Sequence, residues 1–160
     1  MSIQVGEKIP SATLKVADGD GIRDVTTDAL FAGKKVVVFA VPGAFTPTCS
    51  AKHLPGFVQQ ADAIRAKGVD AIVCVAVNDA FVMGAWGREQ RTDGKVILAA
   101  DGNAEWTRAL GLELDASRFG MGTRSQRFAM VVEDGVVRRL AVEAPGKFEV
   151  SSAEAILQAL

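Results

Sequence analysis

The stretch VPGAFTPTCSAKHLPGF, from Val41 to Phe57, concentrates the residues of this chain that can do nucleophilic chemistry. It holds Cys49, one of two cysteines, the only histidine, His53, and three of the five prolines. A cysteine attacks as its thiolate, so its surroundings decide how reactive it is. Here an apolar run ends near Val41, and Pro42-Gly43 breaks it. Thr46 suits a helix N-cap and Pro47 the first helical position, which puts Cys49 in the first turn. Backbone N–H groups there lack helical partners and the helix dipole favours negative charge, so both effects favour thiolate over thiol. The site also falls at the carboxyl end of a strand, where open α/β sheets bind ligands. On position alone, two readings stay open: a reactive sulfur, or a small buried filler.

His53 follows Cys49 by four residues, so the two share a helical face. A Cys-His pair also fits a cysteine hydrolase, which needs base and nucleophile in contact. A packing or supporting role near the pocket is the preferred expectation. Pro55-Gly56 interrupts the same helix, and a proline there removes a backbone bond. We expect this to weaken the turn that carries Cys49. Cys74 lies inside the apolar segment AIVCVAV and reads as a buried structural thiol. As a resolving cysteine it would need its Cα within about 7 Å of that of Cys49, or local unfolding.

The elements that must position these residues alternate between two periods. KVVVFAV (35–41), DAIVCVAV (70–77) and KVILAA (95–100) are continuous apolar runs, as strands buried on both faces would be. RFAMVVEDGVVRRLAVE (127–143) predicts a hairpin about Asp134-Gly135. Helical patterns fall between them: from Leu54 to a stop at Gly68, over 78–90 after Asn78 or Asp79 as cap, and over 103–111. SSAEAILQAL (151–160) predicts a last helix with a capping box from Ser151 to Glu154. ATLKVADGDGIRDVTT predicts an N-terminal β-hairpin before a short helix at 27–32. The expected fold is α/β, with a central mixed sheet and helices on both faces. A thioredoxin-like fold fits, as do several other α/β folds.

The 160 residues suit one domain, with 49% hydrophobic residues to fill a core. A net charge of −1 and the absence of any long basic run argue against nucleic acid as main partner. No apolar run approaches the length of a membrane span, and MSIQVGEKIP has no targeting pattern, so a cytoplasmic protein is expected. Two cysteines and one histidine are too few for a typical structural zinc site, and there is no C-x-x-C dithiol. Neither metal nor cofactor is expected. The Gly-x-Gly at 120–122 lacks the strand–loop–helix context of a nucleotide site.

The pattern Pro-x-x-x-Thr-x-x-Cys, standing as Pro42, Thr46 and Cys49, resembles the peroxiredoxins, thiol peroxidases of the thioredoxin-like superfamily. The closer likeness is to the type II, or peroxiredoxin-five-like, subfamily. It continues through VCVAVNDAFVMGAWG (73–87) and RSQRFAMVVEDGVV (124–137), in the same order, over most of the chain. The resemblance implies a thioredoxin-like fold over 1–160 and reduction of hydrogen peroxide and alkyl hydroperoxides. Cys49 would be the peroxidatic thiolate, leaving as sulfenic acid. The Thr46 hydroxyl and the Cys49 N–H would steady charge on the leaving oxygen. Pro42 would wall the pocket, with Gly43, Phe45 and His53 in support. An arginine should stand over the sulfur, and the family position falls at Arg127; Arg124, nearer the loop, is the alternative. Phe45, Phe81, Met83 and Phe119 are the implied dimer-interface residues.

Some members of the family carry a further cysteine near the C-terminus that resolves the sulfenic acid. EAPGKFEVSSAEAILQAL has none. The expectation is therefore a one-cysteine cycle, recycled by glutathione and glutaredoxin in a homodimeric enzyme. Recycling by thioredoxin, with Cys74 as resolving cysteine, is the alternative. From other classes, the alternatives are a Cys-His hydrolase and a non-catalytic thioredoxin-like binding module.

Overall fold

The computed structural model describes residues 2–18 and 21–160. Strands β1 (Thr13–Asp18) and β2 (Gly21–Thr26) form the expected hairpin, whose tip, 19–20, lies outside the described residues. The remaining elements are α1 (Thr27–Phe31), β3 (Lys35–Val41), α2 (Leu54–Arg65), β4 (Ala71–Ala76), α3 (Ala80–Gln90), β5 (Ile97–Ala100), α4 (Glu105–Leu110), β6 (Glu113–Asp115), β7 (Thr123–Ser125), β8 (Phe128–Glu133), β9 (Val136–Val142) and α5 (Ala153–Ala159). The main sheet has the order β2-β1-β5-β4-β3-β8-β9. Its centre, β5-β4-β3, is parallel; β1 and β8 flank it antiparallel, so the sheet is mixed.

Both faces of this sheet are covered, which is why β3 and β4 read as unbroken apolar runs. On one face Val37, Phe39, Cys74, Ala76 and Leu98 pack against α2, α3 and α5 through Phe57, Ile64, Met83, Trp86 and Ile156. On the other, Val36, Val38, Val73, Phe128 and Met130 pack against Phe31 of α1 and Trp106 and Leu110 of α4. The β8–β9 turn uses left-handed backbone at both Asp134 (φ 47°) and Gly135 (φ 78°), as an Asp-Gly hairpin requires.

Two local expectations change. The cap of α5 is Ser152, whose hydroxyl accepts from the Ala155 N–H, and not Ser151. Ser151 is fully buried and its hydroxyl donates to Glu143 instead. The Cys49 helix is also not a plain α-turn. After Pro47 and Thr48, residues Cys49–His53 form a wide π-turn before the chain enters α2. There the Leu54 N–H reaches back five residues to the Cys49 carbonyl. Such bulges inside helices cluster at functional sites.

Candidate active site

β3 ends at Val41, and the chain leaves the sheet through Pro42-Gly43 into a tight turn. That turn places the exposed Phe45 in the left-handed region, at φ 66°, an uncommon conformation for a bulky residue. It is pinned from β4's end by the Asn78 side chain, which accepts from the Ala44 N–H at 2.9 Å. Thr46 then opens the helix with its carbonyl, which accepts from the Ser50 N–H at 2.9 Å. Its hydroxyl does not cap the helix as expected; it donates to the Gly43 carbonyl at 2.7 Å. The N-cap position is right, but the side chain braces the preceding turn.

Cys49 is fully buried at the base of this helix. Arg127, on the residue before β8, donates from Nη2 to the Cys49 sulfur at 3.1 Å. The same guanidinium donates from Nη1 to Nδ1 of His53 at 2.8 Å. Arginine can only donate, so Nδ1 accepts, and the ring proton sits on Nε2. Nε2 lies 2.8 Å from the Ser151 carbonyl and donates to it. His53 is packed among Phe39, Phe57 and Phe148, with ring centroids 4.9, 5.6 and 5.0 Å away. Burial first, and the Arg127 charge second, push its pKa down from 6.5 to about 3. His53 is therefore a neutral ring with both nitrogens committed. It is no general base for Cys49, and the hydrolase alternative loses the contact it needs.

The Ser151 carbonyl is itself held in place by Glu143, the residue after β9. Its carboxylate accepts from the N–H groups of Glu149, Val150 and Ser151 and from the Ser151 hydroxyl, at 2.7–2.9 Å. Burial opposes this anion, but the four donors outweigh it and hold the carboxyl below its usual range. The result is one continuous frame: Glu143 to Ser151, Ser151 to His53, His53 to Arg127, and Arg127 to Cys49. The sequence reading missed Glu143 and Ser151, because a lone acid after a strand carries no local signal.

Arg124 and Arg127 divide the work expected of one arginine. Arg124 donates from Nε to the Met121 carbonyl at 2.9 Å and from Nη1 to the Pro42 carbonyl at 3.5 Å. It braces the Pro42 loop and does not meet the sulfur. Gly43 permits this approach, since a Cβ there would stand 3.0 Å from Arg124 Nη1. A cleft of about 350 Å³ opens beside Arg127, walled by Pro42 and by Thr48, the residue before Cys49. Its further walls, Leu114, Pro145 and Phe148, are apolar, and Lys147 stands at its edge.

Cys74 is a free, fully buried thiol on the same face of the sheet as Cys49. Burial first, and then the neighbouring Cys49, push its pKa well up, so it stays a neutral thiol. Phe45, Phe81 and Phe119 are 48%, 77% and 72% exposed. Met83 departs from the expected interface set, because its side chain is fully buried in the core beneath α3. Among the described residues no group of three or more His, Cys, Asp or Glu is placed to hold a metal. No helix there is long and apolar enough to cross a membrane.

Comparison with known proteins agrees with this geometry. Residues 4–157 match the family model Redoxin. The chain is 55% identical to chloroplastic peroxiredoxin-2E-2 of Oryza sativa subsp. japonica, over 99% of this chain and 73% of that one. It is 49% identical to peroxiredoxin-2B of Arabidopsis thaliana, over 99% of this chain and 98% of that one. Among solved structures, reduced Prx3 of Vibrio vulnificus in complex with hydrogen peroxide superposes with a TM-score of 0.94 at 55% identity, covering 98% of each chain. The chain belongs to the redoxin family and, within it, is a type II, peroxiredoxin-five-like peroxiredoxin: a thioredoxin-like enzyme that reduces peroxides at the expense of thiols.

Proposed function

We propose that Cys49 is the peroxidatic residue and that this chain reduces hydrogen peroxide and alkyl hydroperoxides in a one-cysteine cycle. The observation that carries this reading is the 3.1 Å hydrogen bond from Arg127 Nη2 to the Cys49 sulfur. A guanidinium at that distance donates to the sulfur and has further N–H groups to meet a peroxide oxygen. The thiolate attacks one peroxide oxygen and the O–O bond breaks. The sulfur keeps that oxygen as sulfenic acid, and the other leaves as water or alcohol. Thr46, already donating to Gly43, retains acceptor capacity for the peroxide hydroxyl. The Cys49 N–H, in the first helical turn, is a donor for the oxygen that gains charge. Pro42 walls the site from water, and the apolar walls Leu114, Pro145 and Phe148 suit an alkyl tail.

Glutathione, completed by glutaredoxin, is the reductant this reading favours. The segment 144–160 carries no cysteine, and the buried, neutral Cys74 is a poor nucleophile for the sulfenic sulfur. The exposed Phe45, Phe81 and Phe119 support a homodimer, since large apolar side chains in the open mark interaction sites. A reducing compartment such as the cytoplasm suits two free thiols. The test is to add one equivalent of hydrogen peroxide and weigh the protein. Gain of one oxygen at Cys49 alone, replaced by a glutathione adduct when that thiol is added, is the expected result. An unchanged mass would overturn the assignment, and oxidation centred on Cys74 would overturn the one-cysteine cycle.

A further inference from the structure

Pro55 has no N–H to give, and in the wide turn around Cys49 this leaves a particular carbonyl short of a donor. Bonds there run five residues back, as from the Leu54 N–H to the Cys49 carbonyl. The next in line, from residue 55, would end on the carbonyl of Ser50. That oxygen is met from another element: Gln90 Nε2, at the end of α3, donates to it at 3.2 Å. One turn earlier on α3, Trp86 Nε1 donates to the Ser50 hydroxyl at 3.0 Å. The residue next to Cys49 is thus held at both of its oxygens by two side chains four apart on one helix.

We infer that Gln90 and Trp86 form a latch on the Cys49 turn, and that Gln90 is a positioning residue setting how readily the oxidised turn opens to its reductant. This rests on Cys49 being the oxidised residue, as proposed above. Cys49 is fully buried behind Thr48 and Arg127, which line the neighbouring cleft, so with the turn closed only a molecule as small as a peroxide can meet it. A thiol as large as glutathione must attack the sulfenic sulfur in line with the S–O bond. Its sulfur forms the S–S bond as the S–O bond breaks, and the oxygen leaves as water with the thiol's proton. That approach needs the turn to move. Within the turn, the missing Pro55 N–H removes one bond that would resist opening, and the latch from α3 replaces it. Peroxide attack happens with the latch closed; resolution happens with it open. The two half-reactions therefore respond differently to Gln90.

Gln90→Glu keeps the shape of the side chain and deletes the donor; Gln90→Lys changes the shape and keeps a donor. Two measurements are made on each: the rate of Cys49 oxidation by hydrogen peroxide, and the rate at which glutathione then forms the mixed disulfide. Amide hydrogen exchange over 49–54 is followed in the reduced protein. For Gln90→Glu the expected result is an unchanged oxidation rate, resolution faster by about three- to tenfold, as one neutral hydrogen bond predicts, and faster exchange at these amides. Gln90→Lys should stay near wild type, and Trp86→Phe should shift in the same direction as Gln90→Glu. Wild-type resolution and exchange in Gln90→Glu would overturn the latch. So would an equal loss in both half-reactions, which would mean a general structural role. The exchange arm reads the latch even if Cys49 proves not to be the oxidised residue, so the two failures are distinguishable.

Discussion

Arg127 and His53 meet through Nη1 and Nδ1 at 2.8 Å, and that bond ties the aim of the guanidinium to the charge state of the ring. Nδ1 can accept only while it is unprotonated, and Nε2 keeps its proton on the Ser151 carbonyl. The ring thus turns Arg127 so that its other nitrogen, Nη2, faces the Cys49 sulfur at 3.1 Å. A histidine four residues from a cysteine invites a base reading. Here it serves as the fixed end of a strut.

Removing the strut should slow peroxide attack. His53→Leu leaves Arg127 Nη1 without its acceptor and frees the guanidinium to swing. A charge-assisted hydrogen bond of this kind is worth about 1.5–3 kcal/mol, so oxidation of Cys49 should slow by about ten- to a hundredfold. His53→Asn puts an amide oxygen near the place of Nδ1 and should recover most of the loss. Stopped-flow peroxide kinetics on both variants check this; equal rates in Leu and Asn variants would show that the acceptor does not matter.

The depressed His53 pKa has a consequence for stability. In the unfolded chain the ring takes its proton near pH 6.5, while in the fold it does so only near 3. Between those values the unfolded state binds more protons, so stability rises with pH and levels off above about 6.5. Glu143 acts with the same sign lower down: its folded carboxyl titrates below the usual range, so its stabilisation is present above the unfolded carboxylate range and lost as pH falls through the folded value. Urea midpoints measured from pH 4 to 8 should therefore rise to about 6.5 and flatten. In His53→Leu the slope between pH 5 and 6.5 should largely vanish. A wild-type slope in that variant would assign the titration to another group.

Glu143→Gln tests the far end of the frame. The amide keeps one acceptor oxygen but loses the charge that draws three N–H groups and a hydroxyl together. We expect a loss of about 2–3 kcal/mol, or roughly 4–10 °C in Tm for a chain of this size. Peroxide reactivity should fall by only a few fold, because His53 still meets Arg127. Calorimetry and oxidation kinetics on the same preparation separate these effects. A fall in rate without a fall in Tm would place Glu143 closer to the chemistry than its contacts do.

How much of this was legible beforehand depended on the range of the signal. β3 from Val36 to Val41 and β4 from Ala71 to Ala76 are apolar without a break because both faces are covered, and Asp134-Gly135 could hardly be anything but a tight turn. That Arg127 should stand over the Cys49 sulfur was legible through the family resemblance, and the two do meet at 3.1 Å. The wide turn at Cys49–His53 was not, since nothing in Cys-Ser-Ala-Lys-His departs from ordinary helix and the Gln90 donor that meets it comes from α3. Ser151 and Ser152 are the same residue type, and only the distant Glu143 decides which of them caps α5. Helical spacing likewise could not tell the exposed Phe81 from the buried Met83 two residues on, because that needs the position of β1 and β5 beneath α3.

Cys74→Ala addresses the cycle as a whole. The thiol lies in β4 with no exposed surface, beside Phe39 in the register of the sheet. Its raised pKa leaves it protonated at neutral pH, and burial keeps any partner out. Turnover with glutathione and glutaredoxin should stay within about twofold of wild type, with a modest loss of stability from the small cavity. Loss of turnover with every reductant would make Cys74 the resolving thiol and sink the one-cysteine cycle.

Pro55→Ala returns an N–H to the place, after the wide turn at Cys49–His53, that lacks one by covalent structure. The Ser50 carbonyl would then have a donor within its own helix as well as Gln90 from α3. The turn should become harder to open, whereas the closed arrangement of Arg127 over the sulfur is untouched. Oxidation by peroxide should therefore proceed at the wild-type rate and resolution by glutathione should slow by a few fold. In combination with Gln90→Glu the two changes should offset each other, because they act on one carbonyl. Single and double variants assayed for both half-reactions check this. If resolution is unchanged in Pro55→Ala, the opening of this turn does not limit the return of the thiol.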